Sequence, residues 1–158
     1  VYAFILTAQN RSARGSERYA VTAKPEKVEW ASQNMLVLGL IVVLGIGLHL
    51  FNFWYKMMFA ELAGMQTALA PSDGFGLIKA TFSNPVYVVL YIIWLVAIWF
   101  HLSHGFWSAM QTIGINGKVW FNRWKAIGIV YVTVLMLAFV AVVLAFYFGI
   151  APSLCAAA

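Results

Sequence analysis

Three histidines lie inside the apolar runs of this chain, where few other side chains can do chemistry. His49 follows the run "MLVLGLIVVLGIGL", and His101 and His104 lie in "AIWFHLSHGFW". An ionisable side chain in hydrocarbon is costly unless it has a partner, so each histidine is a candidate functional residue. The alternative is a neutral imidazole that is hydrogen-bonded to a serine or a backbone carbonyl of the next helix.

The apolar runs offer these histidines no acidic partner, since Glu61 lies only near the end of one run. A proton relay of alternating acids and histidines therefore lacks its second member. Neutral imidazole is, however, a good axial ligand for haem iron. The histidines thus favour a haem site over a proton path.

Two glycines accompany the histidines. Gly45 precedes His49 by one turn and Gly105 follows His101 by one turn, each on the histidine's own face. A glycine beside a flat ligand lets the ligand approach the backbone closely. The alternative is that both glycines only allow close helix packing, which is common in membranes. We take Gly45 and Gly105 as candidate haem neighbours.

The composition is that of an integral membrane protein rather than a soluble enzyme. The chain has 158 residues, of which 63% are hydrophobic and 9% charged, and its mean hydropathy is +0.85. The net charge is +5, but the basic residues adjoin the apolar runs. This pattern indicates orientation in a membrane and argues against nucleic-acid binding. The single cysteine, Cys155, cannot form an internal disulfide.

Hydropathy predicts an all-α membrane bundle in a single domain, residues 1–158. We predict three complete transmembrane helices, because each of three apolar segments exceeds the about 20 residues that a bilayer requires. We interpret the short apolar segment before them as the end of a helix whose beginning is missing from this sequence. The predicted bounds are 1–9 for that end and 34–63, 85–112 and 119–148 for the three spans.

The connections predict the orientation. Residues 10–29 and 116–125 are rich in arginine and lysine, whereas residues 61–84 contain only one lysine. The positive-inside rule places the two basic connections in the cytoplasm. His49 then lies about 20 Å and His101 about 8 Å from the cytoplasmic boundary at 1.5 Å per residue. Two ligands of one haem need similar depths, so we expect two stacked haems, each with one histidine from this chain.

His104 follows His101 by three residues and lies on a neighbouring face of the same helix. One haem cannot take both imidazoles from a single turn. His104 is therefore either the ligand in place of His101 or a hydrogen-bonding partner of a propionate, a water or the backbone.

The pattern H-x-S-x-G with following aromatics, here His101, Ser103 and Gly105 before "FW", resembles a known family. It is similar to helix IV of the cytochrome b membrane anchor of succinate dehydrogenase and fumarate reductase, in the bacterial five-helix, two-haem form. Gly39, ten residues before His49, matches helix III of that family. The opening "VYAFILTAQNRSARG" is similar to the segment after the helix II histidine of the family.

The resemblance implies a subunit that carries electrons between an iron–sulfur subunit and a membrane quinone, with menaquinone expected. It implies two haems b, with His101 on the cytoplasmic haem, His49 on the outer haem, and their second ligands on helices I and II. The implied partners are a flavoprotein subunit, which performs the dicarboxylate chemistry, the iron–sulfur subunit and membrane lipid. The implied location is the bacterial cytoplasmic membrane. Basic residues such as Arg11, Arg14 or Lys118 would pair with propionates or a partner subunit, or only orient the chain.

One departure and two alternatives accompany the resemblance. Trp99 stands where some fumarate reductases have a glutamate linked to transmembrane proton movement. Asn52, Lys56 and Glu61, at the outer end of helix III, are loose candidates for a quinone site. The alternative functions are a cytochrome b anchor of another dehydrogenase, such as hydrogenase or formate dehydrogenase, and a transporter or channel subunit with substrate- or proton-binding histidines.

Overall fold

The computed structural model describes residues 2–16, 29–115 and 117–150, and all regular structure within these ranges is helical. Part of the basic connection 10–29, with Arg18, Lys24 and Lys27, lies outside the described residues, as does Cys155. The helices are α1 (Tyr2–Arg14), α2 (Trp30–Gln33), α3 (Met35–Leu62), α4 (Gly74–Phe82), α5 (Pro85–Ile113) and α6 (Trp120–Tyr147).

The predicted all-α fold class is confirmed. Within the described ranges, α3, α5 and α6 are long and apolar enough to cross a membrane, with 28, 29 and 28 residues. Each exceeds the hydrocarbon core, since such a helix measures about 42 Å and the core about 30 Å. Their ends lie within one residue of the predicted bounds. The chain therefore has the architecture of a multi-pass membrane protein.

Local capping chemistry explains where these helices begin and end. The Asn84 side chain accepts a hydrogen bond of 2.9 Å from the backbone N–H of Val86, and Pro85 occupies the first turn of α5. Gly114 and Gly149 follow α5 and α6 with φ of 87° and 71°. This left-handed conformation is open to glycine without a steric penalty.

Helix α5 packs against both α3 and α6, and each neighbour runs antiparallel to it. The Trp94 indole donates a hydrogen bond of 3.1 Å to the Val42 carbonyl of α3. The Trp99 indole donates one of 2.9 Å to the Thr133 hydroxyl of α6. Hydrogen bonds between helices satisfy polar groups in hydrocarbon. The buried core between the helices consists mainly of Val88, Tyr91, Leu95, Val132, Met136 and Val143.

We name the two ends of the bundle after a lysine at each. The Lys125 end contains the start of α3, the end of α5 and the start of α6. The Lys56 end contains the end of α3, the start of α5 and the end of α6. Residues 117–125 of the predicted basic connection lie at the Lys125 end, which is therefore the predicted cytoplasmic end.

Two features of the Lys56 end were not predicted. The stretch Leu50–Phe59 of α3 is π-helical and begins directly after His49. The connection 61–84 contains α4, whose start is capped by Asp73 accepting a 2.8 Å hydrogen bond from the Gly76 N–H. Helix α4 packs on the end of α6, where the rings of Phe75 and Phe146 are 5.3 Å apart.

Candidate functional site

His49 and His101 both lie in the interface between α3 and α5, although they come from different helices. The His101 ring of α5 lies beside Gly39 of α3, where a Cβ on the glycine would be 3.6 Å from the imidazole Cε1. The His49 ring of α3 lies beside Tyr91 and Trp94 of α5, at centroid distances of 6.1 and 5.6 Å. The packing of these two helices therefore positions both imidazoles.

The two histidines lie at different heights along the bundle. Gly39 marks the level of His101 on α3, and His49 lies ten residues further along that helix. Ten residues correspond to about 15 Å at 1.5 Å per residue. This separation is similar to the difference of about 12 Å obtained from the predicted depths of 20 and 8 Å. One flat ligand cannot lie level with both rings.

The His101 ring has a buried nitrogen that no described residue satisfies. Its Nδ1 is inaccessible and has no hydrogen-bond partner in the described ranges. Leaving a buried polar atom unpaired costs about 1–3 kcal/mol. The described structure thus does not supply the serine or carbonyl partner of the alternative interpretation. One turn further along the same face, nothing lies within 4 Å of a Cβ placed on Gly105, so this side of His101 is open.

His49 lines a largely apolar cavity of about 440 Å³. This volume falls within the roughly 300–1,000 Å³ typical of small-molecule and cofactor sites. The Phe53 ring lies 5.0 Å from the imidazole and helps to hold its orientation. The other lining residues come from α4, α5 and α6 and are mostly aromatic or branched aliphatic: Ile78, Phe82, Tyr91, Trp94, Leu95, Ile98, Met136, Phe139, Val142 and Val143.

Gly45 is the candidate neighbour of a ligand on His49, but the space beside it is filled by the side chain of Trp94. A Cβ at this position would overlap the Trp94 indole. Gly45 therefore matches the helix-packing alternative, and its place beside a haem stays a prediction. The two glycines singled out from the sequence thus differ, because only Gly105 has free space next to it.

Two of the loose quinone candidates form a polar chain at the Lys56 end. Asn52 is 0% exposed, and its amide nitrogen donates to the Tyr91 hydroxyl at 3.5 Å. The Lys56 ammonium donates to the Asn52 amide oxygen, also at 3.5 Å. These bonds pair a buried amide that would otherwise be unsatisfied in hydrocarbon. Glu61 is exposed and belongs to no such chain.

His104 has an acidic neighbour that the apolar runs did not indicate. Its Nδ1 is 3.6 Å from a carboxylate oxygen of Glu29, and the same carboxylate forms an ion pair with Lys125. The Lys125 ammonium also lies 5.5 Å from the centre of the Trp107 ring. The apolar runs themselves contain no acidic partner, as the sequence indicates, and this carboxylate comes from outside the membrane spans.

The approach of Glu29 follows from the packing of α2. Trp30, the first residue of α2, contacts Phe100 of α5 with ring centroids 5.2 Å apart, and Glu29 precedes it. The hydrogen bond from Lys125 lowers the pKa of the Glu29 carboxyl below its ordinary value of 4.5, although partial burial opposes this. Glu29 is therefore a carboxylate at neutral pH. One signal in the sequence pointed to this cluster: residues 10–29 and residues 116–125 were both predicted to lie on the cytoplasmic side.

The structure thus divides the predicted site residues between two regions. His49 and Gly45 lie in the half of the α3–α5 interface nearer the Lys56 end, and His101, His104 and Gly105 lie toward the Lys125 end.

Comparisons of the chain with known protein families, curated proteins and solved structures found no match. Its function is therefore inferred from its own residues.

Proposed function

We propose that this chain is a membrane-anchoring haem b subunit of a succinate:quinone oxidoreductase. In this role it carries electrons between an iron–sulfur subunit and a membrane quinone. The observation that carries the proposal is the pair of intramembrane imidazoles, His49 and His101, about 15 Å apart in height on one helix interface. The H-x-S-x-G resemblance around His101 directs the choice among membrane cytochromes.

The residues at both histidines fit haem. His101 has a buried ring nitrogen without a partner in the described ranges and free space beside Gly105, one turn away, which would leave room for a flat ligand. His49 lines a cavity of about 440 Å³ with an apolar, aromatic lining. Each histidine would hold the iron of its own haem, and the resemblance assigns the second ligand of each iron to helices I and II of the family. The haem supplies one-electron transfer within the membrane.

The described residues of this chain hold and shield the ligands. The Trp94 indole is fixed by its hydrogen bond to the Val42 carbonyl and lies against the His49 ring. Phe53 contacts the same ring from α3 itself. Such neighbours restrict the orientation of an imidazole and exclude water, and both effects tune a metal centre. The three spans provide the apolar surroundings.

The remaining parts of the proposal concern partners and place. The predicted cytoplasmic Lys125 end would face the flavoprotein and iron–sulfur subunits, and the flavoprotein would perform the succinate chemistry. The quinone would be menaquinone, and the membrane the bacterial cytoplasmic membrane. The positive charge of the connections at this end supports the orientation.

A reduced-minus-oxidised visible spectrum of the complex purified from its native membrane tests the proposal. We expect a b-type band that loses about half of its amplitude in His49→Ala and the other half in His101→Ala, since each imidazole holds one haem. His104→Ala is the matched control and retains both haems. A preparation without any haem band contradicts the proposal and favours the transporter alternative.

The identity of the partners needs a separate measurement. Mass spectrometry of the purified complex should identify a flavoprotein and an iron–sulfur protein with succinate- or fumarate-linked activity. Hydrogenase or formate dehydrogenase subunits in their place would retain the haem assignment and reject the succinate assignment.

A further inference from the structure

A cavity of about 360 Å³, separate from that of His49, lies at the Lys56 end between the end of α3, the connection 63–73 and α4. Among the described residues, Lys56 is the only charged residue in its lining. The other lining residues are small or apolar: Thr67, Ala68, Leu69, Ala70, Leu77 and Ala80. The cavity thus combines one cation with mainly apolar walls.

The positive charge of Lys56 has no acidic partner in the described ranges. The ion pairs in these ranges involve Glu29, at the other end of the bundle. Asp73, which lies at the same end as Lys56, instead caps the start of α4. The ammonium donates to the Asn52 amide oxygen at 3.5 Å and keeps further N–H groups for a ligand. An anionic group in the cavity would compensate this charge.

Lys56 lies at the level where the hydrocarbon meets the lipid head groups. A helix of about 42 Å that is centred in a core of about 30 Å extends about 6 Å beyond it on each side. Lys56 precedes the end of α3 at Leu62 by about 9 Å, close to that boundary. Trp54 and Tyr55 beside it are exposed, as is typical of aromatic residues at a membrane interface. The lysine is therefore within reach of lipid phosphates.

The connection 63–73 supplies further hydrogen-bond donors. Residues 67–70 line the cavity, and their backbone N–H groups donate to no described residue. The Thr67 hydroxyl donates to the Leu69 carbonyl at 2.5 Å, which folds this part of the connection on itself. Lysine and free backbone N–H groups are both common partners of phosphate oxygens. The donors of the cavity therefore match a phosphate group.

The walls of the cavity favour a phospholipid over a free phosphate ion. A free ion would exchange its hydration for apolar walls and one ammonium, which is unfavourable. A phospholipid brings an apolar part of its own, which can pack on Leu77 and Ala80 and continue into the bilayer. No described carboxylate lines the cavity, so a lipid with an ammonium head group would lack a partner for it. The ligand therefore needs a phosphodiester and a net negative charge.

From these observations we infer that the cavity binds an anionic phospholipid of the phosphatidylglycerol type. The Lys56 ammonium donates to one phosphate oxygen, and backbone N–H groups of residues 67–70 donate to others. Asn52, itself bonded to the Tyr91 hydroxyl, holds the ammonium at the cavity wall. The inference goes beyond the proposed function and does not depend on it, since no candidate haem ligand lines this cavity.

A photoreactive phosphatidylglycerol tests the inference in the complex purified from its native membrane and placed in phosphatidylcholine nanodiscs. Peptide mapping should find the cross-link in the connection 63–73 or in α4, and its concentration dependence gives the Kd of this site. We expect Lys56→Gln to raise that Kd about 3- to 10-fold, because one lysine at a membrane surface contributes about fivefold to anionic lipid binding. The matched control is Lys79→Gln, which removes the same charge from α4 outside the cavity lining and should leave the Kd nearly unchanged.

A second variant keeps the test decisive if Lys56→Gln folds poorly. Ala80→Leu fills part of the cavity without changing the charge and should raise the Kd at least about 3-fold through overlap with the lipid. Its control is Ala63→Leu, an exposed residue outside the lining, which should bind the probe as the unaltered chain does.

Three results would overturn the inference. The first is a Kd that neither Lys56→Gln nor Ala80→Leu changes, or labelling confined to other segments. The second is equal labelling by a photoreactive phosphatidylcholine, which would remove the preference for a negative charge. The third is displacement of the probe by millimolar inorganic phosphate, which would assign the site to a free anion. Haem spectra of the same samples test the proposed function separately, so either proposal can fail while the other stands.

Discussion

His101 and His104 are three residues apart, yet their surroundings differ in chemistry. The Nδ1 of His101 is buried beside Gly39 without a hydrogen-bond partner in the described ranges. His104 faces the Glu29 carboxylate at 3.6 Å. The two imidazoles thus differ in that, among the described residues, only His104 has an acidic side chain beside it. The Nδ1 of His104 is also buried without a hydrogen-bond partner in these ranges, so the order proposed from the sequence, with His101 ahead of His104 as ligand candidate, stays a prediction.

Glu29→Gln should weaken the attachment of α2 to α6 at neutral pH, because the amide cannot form the ion pair with Lys125. We expect a loss of up to about 1 kcal/mol, the usual upper value for a partly exposed pair. The Glu29 pKa is lowered in the folded chain, so its stabilisation is complete above the ordinary value of 4.5 and disappears as the pH falls through the folded pKa. Thermal melting of both proteins at pH 7 and at about pH 3 measures this dependence.

The measurement at about pH 3 is the control that separates the charge of Glu29 from its packing. Near pH 3 the carboxyl of the unaltered chain is increasingly protonated, so its melting temperature should approach that of Glu29→Gln. An equal difference at both pH values would show that Glu29 acts through packing and not through its charge.

The sequence identified the intramembrane histidines but not the cluster around His104. A histidine in an apolar run stands out locally, since hydropathy is a property of neighbouring residues. Glu29, His104 and Lys125 come from three distant segments, and their approach depends on how α2 packs against α5. No spacing along the chain encodes such a contact, so this cluster at the Lys125 end was not predictable.

At the scale of elements, the packing of α3 on α5 depends on one small residue facing one large one. The Trp94 indole occupies the space beside Gly45 and reaches the Val42 carbonyl at 3.1 Å. Small residues in membrane helices permit such close approach, which takes the place of a hydrophobic driving force. The position of Trp94, and hence of the His49 ring beside it, follows from this contact.

Gly45→Ala should separate α3 from α5 or rotate Trp94, because the added methyl group would overlap the indole. We expect a destabilisation of about 1–3 kcal/mol, as for other overpacked sites. If the proposed function holds, the haem band that depends on His49 should also be weaker in this variant. Thermal melting in detergent measures the first effect, and the reduced-minus-oxidised spectrum measures the second.

Gly47→Ala is the matched control, since nothing lies within 4 Å of a Cβ at that position and the same helix carries it. It should melt at or slightly above the temperature of the unaltered chain, because alanine is the better helix former. Equal melting temperatures for the two variants would contradict the packing role of Gly45.

The spans were predictable because their signals are local. Apolar length predicts each helix, and Asn84 and Gly114 then mark where α5 begins and ends. The π-helical stretch Leu50–Phe59 was not predictable, since hydropathy does not distinguish i→i+5 from i→i+4 hydrogen bonding. Helix α4 was missed because its nine residues are too short to span a bilayer and lie in a connection.

At the scale of the molecule, antiparallel packing separates the polar clusters. Lys56, Asn52 and Tyr91 form a chain at one end. Glu29 and Lys125 meet at the other end. Two candidate haem ligands lie between them at different heights. A conduit that carries electrons between a cytoplasmic partner and the membrane interior needs such an arrangement along the membrane normal.

The predicted orientation places the connection 117–119 in the cytoplasm and the connection 63–73 outside. Single cysteines test it in a chain that carries Cys155→Ser. Ser72→Cys should react with a membrane-impermeant maleimide on intact spheroplasts, and Lys118→Cys should react only after lysis. The cysteine-free chain is the control for background labelling. The reverse pattern would invert the membrane orientation and would separate the proposed cytoplasmic subunits from the Lys125 end.

The π-helical stretch Leu50–Phe59 is also the part of α3 where we expect the chain to tolerate the deletion of a residue. Tightening the coil there would absorb the loss of one amino acid with little change in helix rise. Residues after Phe59 would then keep nearly the same rotation about the helix axis, because closing one turn of i→i+5 hydrogen bonds to an i→i+4 turn removes about one residue. His49 lies before the stretch and would keep its orientation. A single codon lost here would therefore leave both the imidazole and the end of α3 facing the same neighbours.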